Sequence, residues 1–168
     1  MDTIAFGSFP RSGSHFCMEL LHKSLSSAKI VCLEHRIYPL DKQQNLFTTI
    51  RTPLECVPSW ITLTADTRSN RAEQVLEWYC AYYEKCKEVG VLTIPFTQLI
   101  SEPLFSLNHV YKTFCLPVVD CLDFDLGTGF HFPTKDKSDY DEIVQEMQSA
   151  PSFSRAMSLF EEICVPVG

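Results

Sequence analysis

Apolar residues along the chain fall into two rhythms. Short apolar runs at Ile4-Ala5-Phe6, Lys29 to Leu33, Leu46 to Ile50 and Val91 to Pro95 have the length and β-branched content of buried strands. Between them the spacing turns helical. Phe16, Cys17, Leu20 and Leu21 share one face, and so do Val75, Leu76, Tyr79, Tyr82 and Tyr83 in a helix from Arg71 to Glu88 that Gly90 ends. Thr52 and Pro53 open another helix as N-cap and first-turn proline, carrying Cys56, Trp60 and Leu63 inward. Pro58 either kinks that helix or delays its start. Pro103 to Phe114 is helical and closes at Leu116-Pro117. The stretch from Val118 to Lys137 is irregular, and amphipathic helices over Ser138 to Gln148 and Pro151 to Ile163 finish the chain.

Strands alternating with helices imply parallel crossovers. The expected architecture is α/β, with a central parallel sheet of about four strands and helices on both faces. Ligands of such sheets sit beyond the carboxyl ends of the strands. That rule gathers the Arg11 loop, Glu34-His35, Arg51 and Phe96 along one edge, although they are far apart in sequence. Residues 1–168 read as one domain, with no internal repeat or composition break.

Composition narrows the partners. A formal net charge of −7 without a dense Lys/Arg stripe argues against nucleic acid and against long polyanions, but leaves room for a small anion in a local basic pocket. No run approaches the roughly 18 apolar residues that cross a bilayer, so no membrane partner is expected. The eight cysteines show no CxxC pair and lie mostly in apolar runs, which reads as buried free thiols and no metal site. Reduced thiols and the absence of an export signal point to the cytoplasm.

The chemistry gathers first in Gly7-Ser8-Phe9-Pro10-Arg11-Ser12-Gly13-Ser14, between the first strand and the first helix. Loop amides and a helix N-terminus form an anion site, and Arg11 adds a fixed positive charge. A Walker A loop needs Lys directly after its second Gly; here His15 follows Gly13-Ser14 and the cation precedes the Gly. Pro10-Arg11-Ser12-Gly13-Ser14 resembles the 5′-phosphosulfate loop of the sulfotransferase family, and its Arg is most similar to the tyrosylprotein branch. Two further segments share the resemblance. Arg51-x-Pro53, with Ser59 eight residues after the Arg, is similar to the segment that binds the nucleotide 3′-phosphate in that family. Val91 to Pro117 is similar to its strand, aromatic turn, Pro-initiated helix and Leu-Pro end. Phe96 stands where relatives place a Tyr near the adenine, and Gln98 where an Asp is usual.

What the resemblance implies is a three-layer P-loop-type domain binding 3′-phosphoadenosine-5′-phosphosulfate (PAPS), with 3′-phosphoadenosine-5′-phosphate (PAP) as product. It implies no metal. Its activity would be sulfuryl transfer to the hydroxyl or amine of a small-molecule or peptide acceptor. Pro10, Arg11, Ser12, Gly13, Ser14 and His15 would hold the 5′ end, Arg51 and Ser59 the 3′-phosphate, and Phe96 the base. Arg11 would also steady charge on the leaving oxygen. Two residues compete for the acceptor proton. An imidazole at His35 suits neutral pH, whereas Glu34 would need burial to raise it; tyrosylprotein relatives use a Glu after an early strand and cytosolic ones a His. A nucleotide-binding protein without turnover, or a small-nucleotide phosphotransferase on the same scaffold, are the alternatives.

Overall fold

The computed structural model describes residues 3–25, 28–33, 35–36, 44–122 and 137–168. The four apolar runs become β1 (Thr3–Ser8), β2 (Lys29–Cys32), β3 (Leu46–Ile50) and β4 (Leu92–Pro95). They form one parallel sheet in the order β2-β1-β3-β4. The expected α/β architecture is therefore present, and the helices surround the sheet as the strand–helix alternation requires. Among the described residues these are α1 (Ser14–Ser24), α2 (Pro53–Thr64), α3 (Arg71–Glu88), α4 (Phe96–Ser101), α5 (Pro103–Thr113), α6 (Lys137–Ser149) and α7 (Phe153–Ile163).

Side-chain alternation along the strands divides the core in two. Ile4 and Phe6 of β1 and Phe47 of β3 pack with α1, α4 and α5. Ala5, Leu46 and Ile50 point the other way, toward α2, α3, α6 and α7. Burial of the apolar face explains α3: Val75, Leu76, Tyr79, Tyr82 and Tyr83 are all in the core, as their spacing implied.

The α2 proline neither delays nor ends the helix. α2 runs from Pro53 through Pro58 to Thr64. Proline at 58 removes the N–H that would bond the carbonyl of Leu54, and the Tyr140 hydroxyl of α6 donates to that carbonyl at 3.1 Å. The gap in one helix thus becomes a docking point for another. Arg71 of α3 completes the attachment with a two-pronged contact to Glu146, at 2.9 and 2.7 Å.

Three expectations need correction. Leu63, expected on the inward face of α2, is 57% exposed. The segment after β4, expected as a turn, is the short helix α4. Cys32, Cys115 and Cys121 are exposed, and only Cys17, Cys56, Cys80 and Cys86 are buried; all eight cysteines are free. An apolar run does not bury every member when it lies on an edge strand, as Cys32 does at one side of the sheet. Most of the segment expected to be irregular, residues 123–136, lies outside the described residues.

Candidate functional site

The loop between β1 and α1 is shaped by two residues in left-handed backbone conformation, Arg11 (φ 63°) and Gly13 (φ 94°). These two residues flank Ser12 and fold the loop tightly back on itself, and the Ser12 N–H closes the turn on Phe9 O at 3.2 Å. Gly13 is the N-cap of α1, whose first turn carries no side-chain cap, so its N-terminal amides keep the partial positive charge that attracts anions. Gly13 is required twice over. Its φ disfavours any side chain, and a Cβ there would collide with the ring of Phe96.

Ser12 faces inward. Its hydroxyl is fully buried against the Tyr83 hydroxyl at 3.2 Å, its N–H donates to Phe9 O at 3.2 Å, and its carbonyl accepts from the Thr49 hydroxyl at 2.7 Å. Its place is structural support of the loop, with every polar group committed to the interior. Ser14 stays at the surface of the loop, its hydroxyl 2.6 Å from that of Ser8. Pro10 is buried and His15 exposed at the helix start.

The two arginines meet. β3 ends at Ile50, and Arg51, next in the chain, reaches back so that its Nη1 donates to the Arg11 carbonyl at 3.4 Å. Arg11 Nε donates to the Ser59 hydroxyl of α2 at 2.8 Å. Thus Arg11 and Ser59, assigned from the resemblance to opposite ends of the ligand, are in direct contact. The Arg51 guanidinium also lies 5.3 Å from the centre of the Phe96 ring, which stands edge-on to Phe16 at 6.2 Å. Partial burial, and then the charge of Arg51, lower the Arg11 pKa from its ordinary value. Two cations held this close repel each other, and an anion between them relieves that repulsion.

His35 lies on the same edge. Its Nδ1 is 2.8 Å from the carbonyl oxygen of Ser8, the last residue of β1. A carbonyl only accepts, so Nδ1 carries the proton and, in the neutral ring, Nε2 keeps the lone pair. The ring stands edge-on to Trp60 at 6.0 Å, and Trp60 in turn to Trp78 at 5.8 Å. Glu34, the other candidate for the acceptor proton, lies outside the described residues. No cluster of three or more metal-ligating side chains occurs among the described residues.

Supporting residues were not singled out by sequence reasoning. Tyr83 donates to Thr49 O at 2.8 Å, and Tyr79 to Arg51 O at 3.0 Å. Both hydroxyls tie an α3 ring to the chain segments that carry Ser12 and Arg51. A signal was present: three tyrosines on one otherwise apolar helix face each need a buried partner. Gln98, where an Asp is usual in the resembled family, has a structural role. Its amide brackets Val167, accepting from the backbone N–H at 2.9 Å and donating to the carbonyl at 3.0 Å. An Asp carboxylate could accept the first bond but could not donate the second.

No family model matches the chain, and no curated protein sequence matches it. Among solved structures it is similar to mouse sulfotransferase SULT7A1 complexed with PAP, with a TM-score of 0.54 and 15% identity over 95% of this chain and 88% of that one. The likeness is one of fold: a parallel four-stranded sheet with helices around it. The likeness of the Arg11 loop to the tyrosylprotein branch gains no support from it. None of the described helices is long and apolar enough to cross a membrane.

Proposed function

We propose that the chain is a sulfotransferase-like enzyme that moves a sulfuryl group from PAPS to the hydroxyl or amine of an acceptor. The observation that carries this reading is the meeting of Arg11, Arg51 and Ser59 at the edge where α1 begins, on strands and helices that are separate in sequence. The fit to a doubly anionic adenosine is chemical. Two guanidiniums provide charge, a helix N-terminus adds amides, and Phe96 beside Arg51 offers a ring. That the neighbouring fold is a sulfotransferase holding PAP supports the same reading.

Bound PAPS would supply the sulfuryl group together with its adenosine 3′,5′-bisphosphate leaving group. The loop from Pro10 to His15 holds the 5′ end through the amides around Gly13 and through Ser14, and Arg11 offsets charge on the departing oxygen. Arg51 and Ser59 hold the 3′-phosphate. His35, with its Nδ1 proton anchored on Ser8 O, offers Nε2 to the acceptor's proton. Glu34 is the alternative base. The eight free thiols fit a reducing compartment, and the cytoplasm is the proposed location.

Calorimetric titration with PAP and with ATP tests the reading. Tight binding of PAP with weak binding of ATP supports it, and equal affinity or no PAP binding removes it. PAP binding without transfer to any of a panel of hydroxyl and amine acceptors would leave a nucleotide-binding protein.

A further inference from the structure

Arg51 is held from several sides. Its Nε donates to Glu55 Oε2 at 2.7 Å, its Nη1 reaches the Arg11 carbonyl, and the Phe96 ring lies beside the guanidinium. Its own backbone carbonyl is fixed by the Tyr79 hydroxyl. Nη2 meets no hydrogen-bond acceptor among the described residues. Glu55 sits in the first turn of α2, three residues after the N-cap Thr52, and its N–H donates to Thr52 O at 3.0 Å. The carboxylate therefore projects from rigid backbone at a helix end that favours negative charge.

The Arg51–Glu55 pair contributes little to stability. Both side chains are partly exposed, at 26% and 48%, so water and salt screen most of their attraction. Its consequence is directional. A carboxylate on Nε and the Arg11 carbonyl on Nη1 leave Nη2 of the guanidinium for an incoming anion, and a fixed fork loses less freedom on binding than a mobile one.

We propose that Glu55 is a positioning residue that presets Arg51 for the 3′-phosphate of the nucleotide. It does not touch the ligand and acts through Arg51. The inference rests on the nucleotide reading above.

Calorimetry on wild type, Glu55→Ala and Glu55→Gln, each with PAP and with adenosine 5′-phosphate, tests it. Glu55→Ala is expected to weaken PAP about tenfold by freeing the Arg51 side chain, while adenosine 5′-phosphate changes less than about twofold and the melting temperature barely moves. Glu55→Gln keeps an acceptor for Nε and is expected to restore PAP affinity to the wild-type level or better, because it also removes a negative charge. Unchanged or tighter PAP binding in Glu55→Ala overturns the proposal, and so does equal weakening of both nucleotides. No PAP binding by the wild type overturns the nucleotide reading itself, and this inference with it.

Discussion

The two faces of the sheet are built differently. The face covered by α1, α4 and α5 is mainly aliphatic and phenylalanine-lined, with Ile4, Leu20, Leu21, Phe47, Leu107 and Val110 at its centre. Its buried tyrosine, Tyr111, meets Ser24 at 2.5 Å, which ties α5 to α1 and touches nothing at the candidate site. The face covered by α2, α3, α6 and α7 packs Phe9 among Trp78, Tyr79, Tyr82 and Tyr83. There the hydroxyls point at Ser12, Thr48, Thr49 and the Arg51 carbonyl. Both faces bury apolar area, but only the second has polar tips that end on the loops carrying the arginines. A core can thus serve a site when its side chains are amphipathic, because each hydroxyl must find a partner and that partner is then held.

The largest expected effect tests whether the second face serves the arginine cluster. Arg11→Ala should reduce sulfuryl transfer by on the order of a hundredfold or more, as loss of a preorganised donor does elsewhere. Single-turnover transfer measures it, and retention of most of the rate would detach Arg11 from the chemistry.

On the aliphatic face, Leu20→Ala should cost about 3 kcal/mol of stability in urea unfolding, from lost burial and the cavity left behind. PAP affinity of the folded variant should not change. A change in affinity would blur the contrast between the faces.

An alkaline titration probes the tyrosine-bearing face next. Burial raises the Cys56 and Cys86 thiols from an ordinary 9.0 to about 12, and both belong to the tyrosine-bearing core. Above pH 9 the unfolded chain loses these protons while the folded one keeps them. Stability should therefore be complete below pH 9 and fall as pH rises toward 12, by about 1.4 kcal/mol per pH unit for each such group. Urea unfolding under reducing conditions should show a shallower fall in a Cys56→Ala, Cys86→Ala variant. An identical slope in that variant would assign the alkaline loss to other groups.

The smallest effect is the most discriminating. Tyr83→Phe and Tyr111→Phe should each cost about 1 kcal/mol for a lost hydrogen bond. Only Tyr83→Phe should also weaken PAP binding, by a few fold, because its hydroxyl braces the Ser12 loop. Equal affinities for the two variants would make the tyrosine wall ordinary core.

Much of the fold was legible because its signals are local. Four apolar runs and two helical rhythms gave the order of elements, and α3 was read at its observed ends because its apolar face is long and regular. α4 was missed because six residues carry too little periodicity to distinguish a helix from a turn. In the candidate site, the loop glycine and both arginines stood out by residue type. Their mutual contact did not, nor did the inward turn of Ser12 or the attachment of Glu55 to Arg51. Gln98 registered only as a departure from a pattern, since its partner Val167 lies at the far end of the chain.

Residue order alone thus determined where the four strands and every described helix but α4 form, and that Arg11, His35 and Arg51 come to the carboxyl edge of the sheet. Those follow from periodicity and from the geometry of parallel crossovers, both of which act over a few residues. Packing decided which way each polar tip faces. A hydroxyl or guanidinium takes its partner from whatever element the fold brings beside it, across separations such as the 48 residues between Arg11 and Ser59. No local spacing encodes that choice.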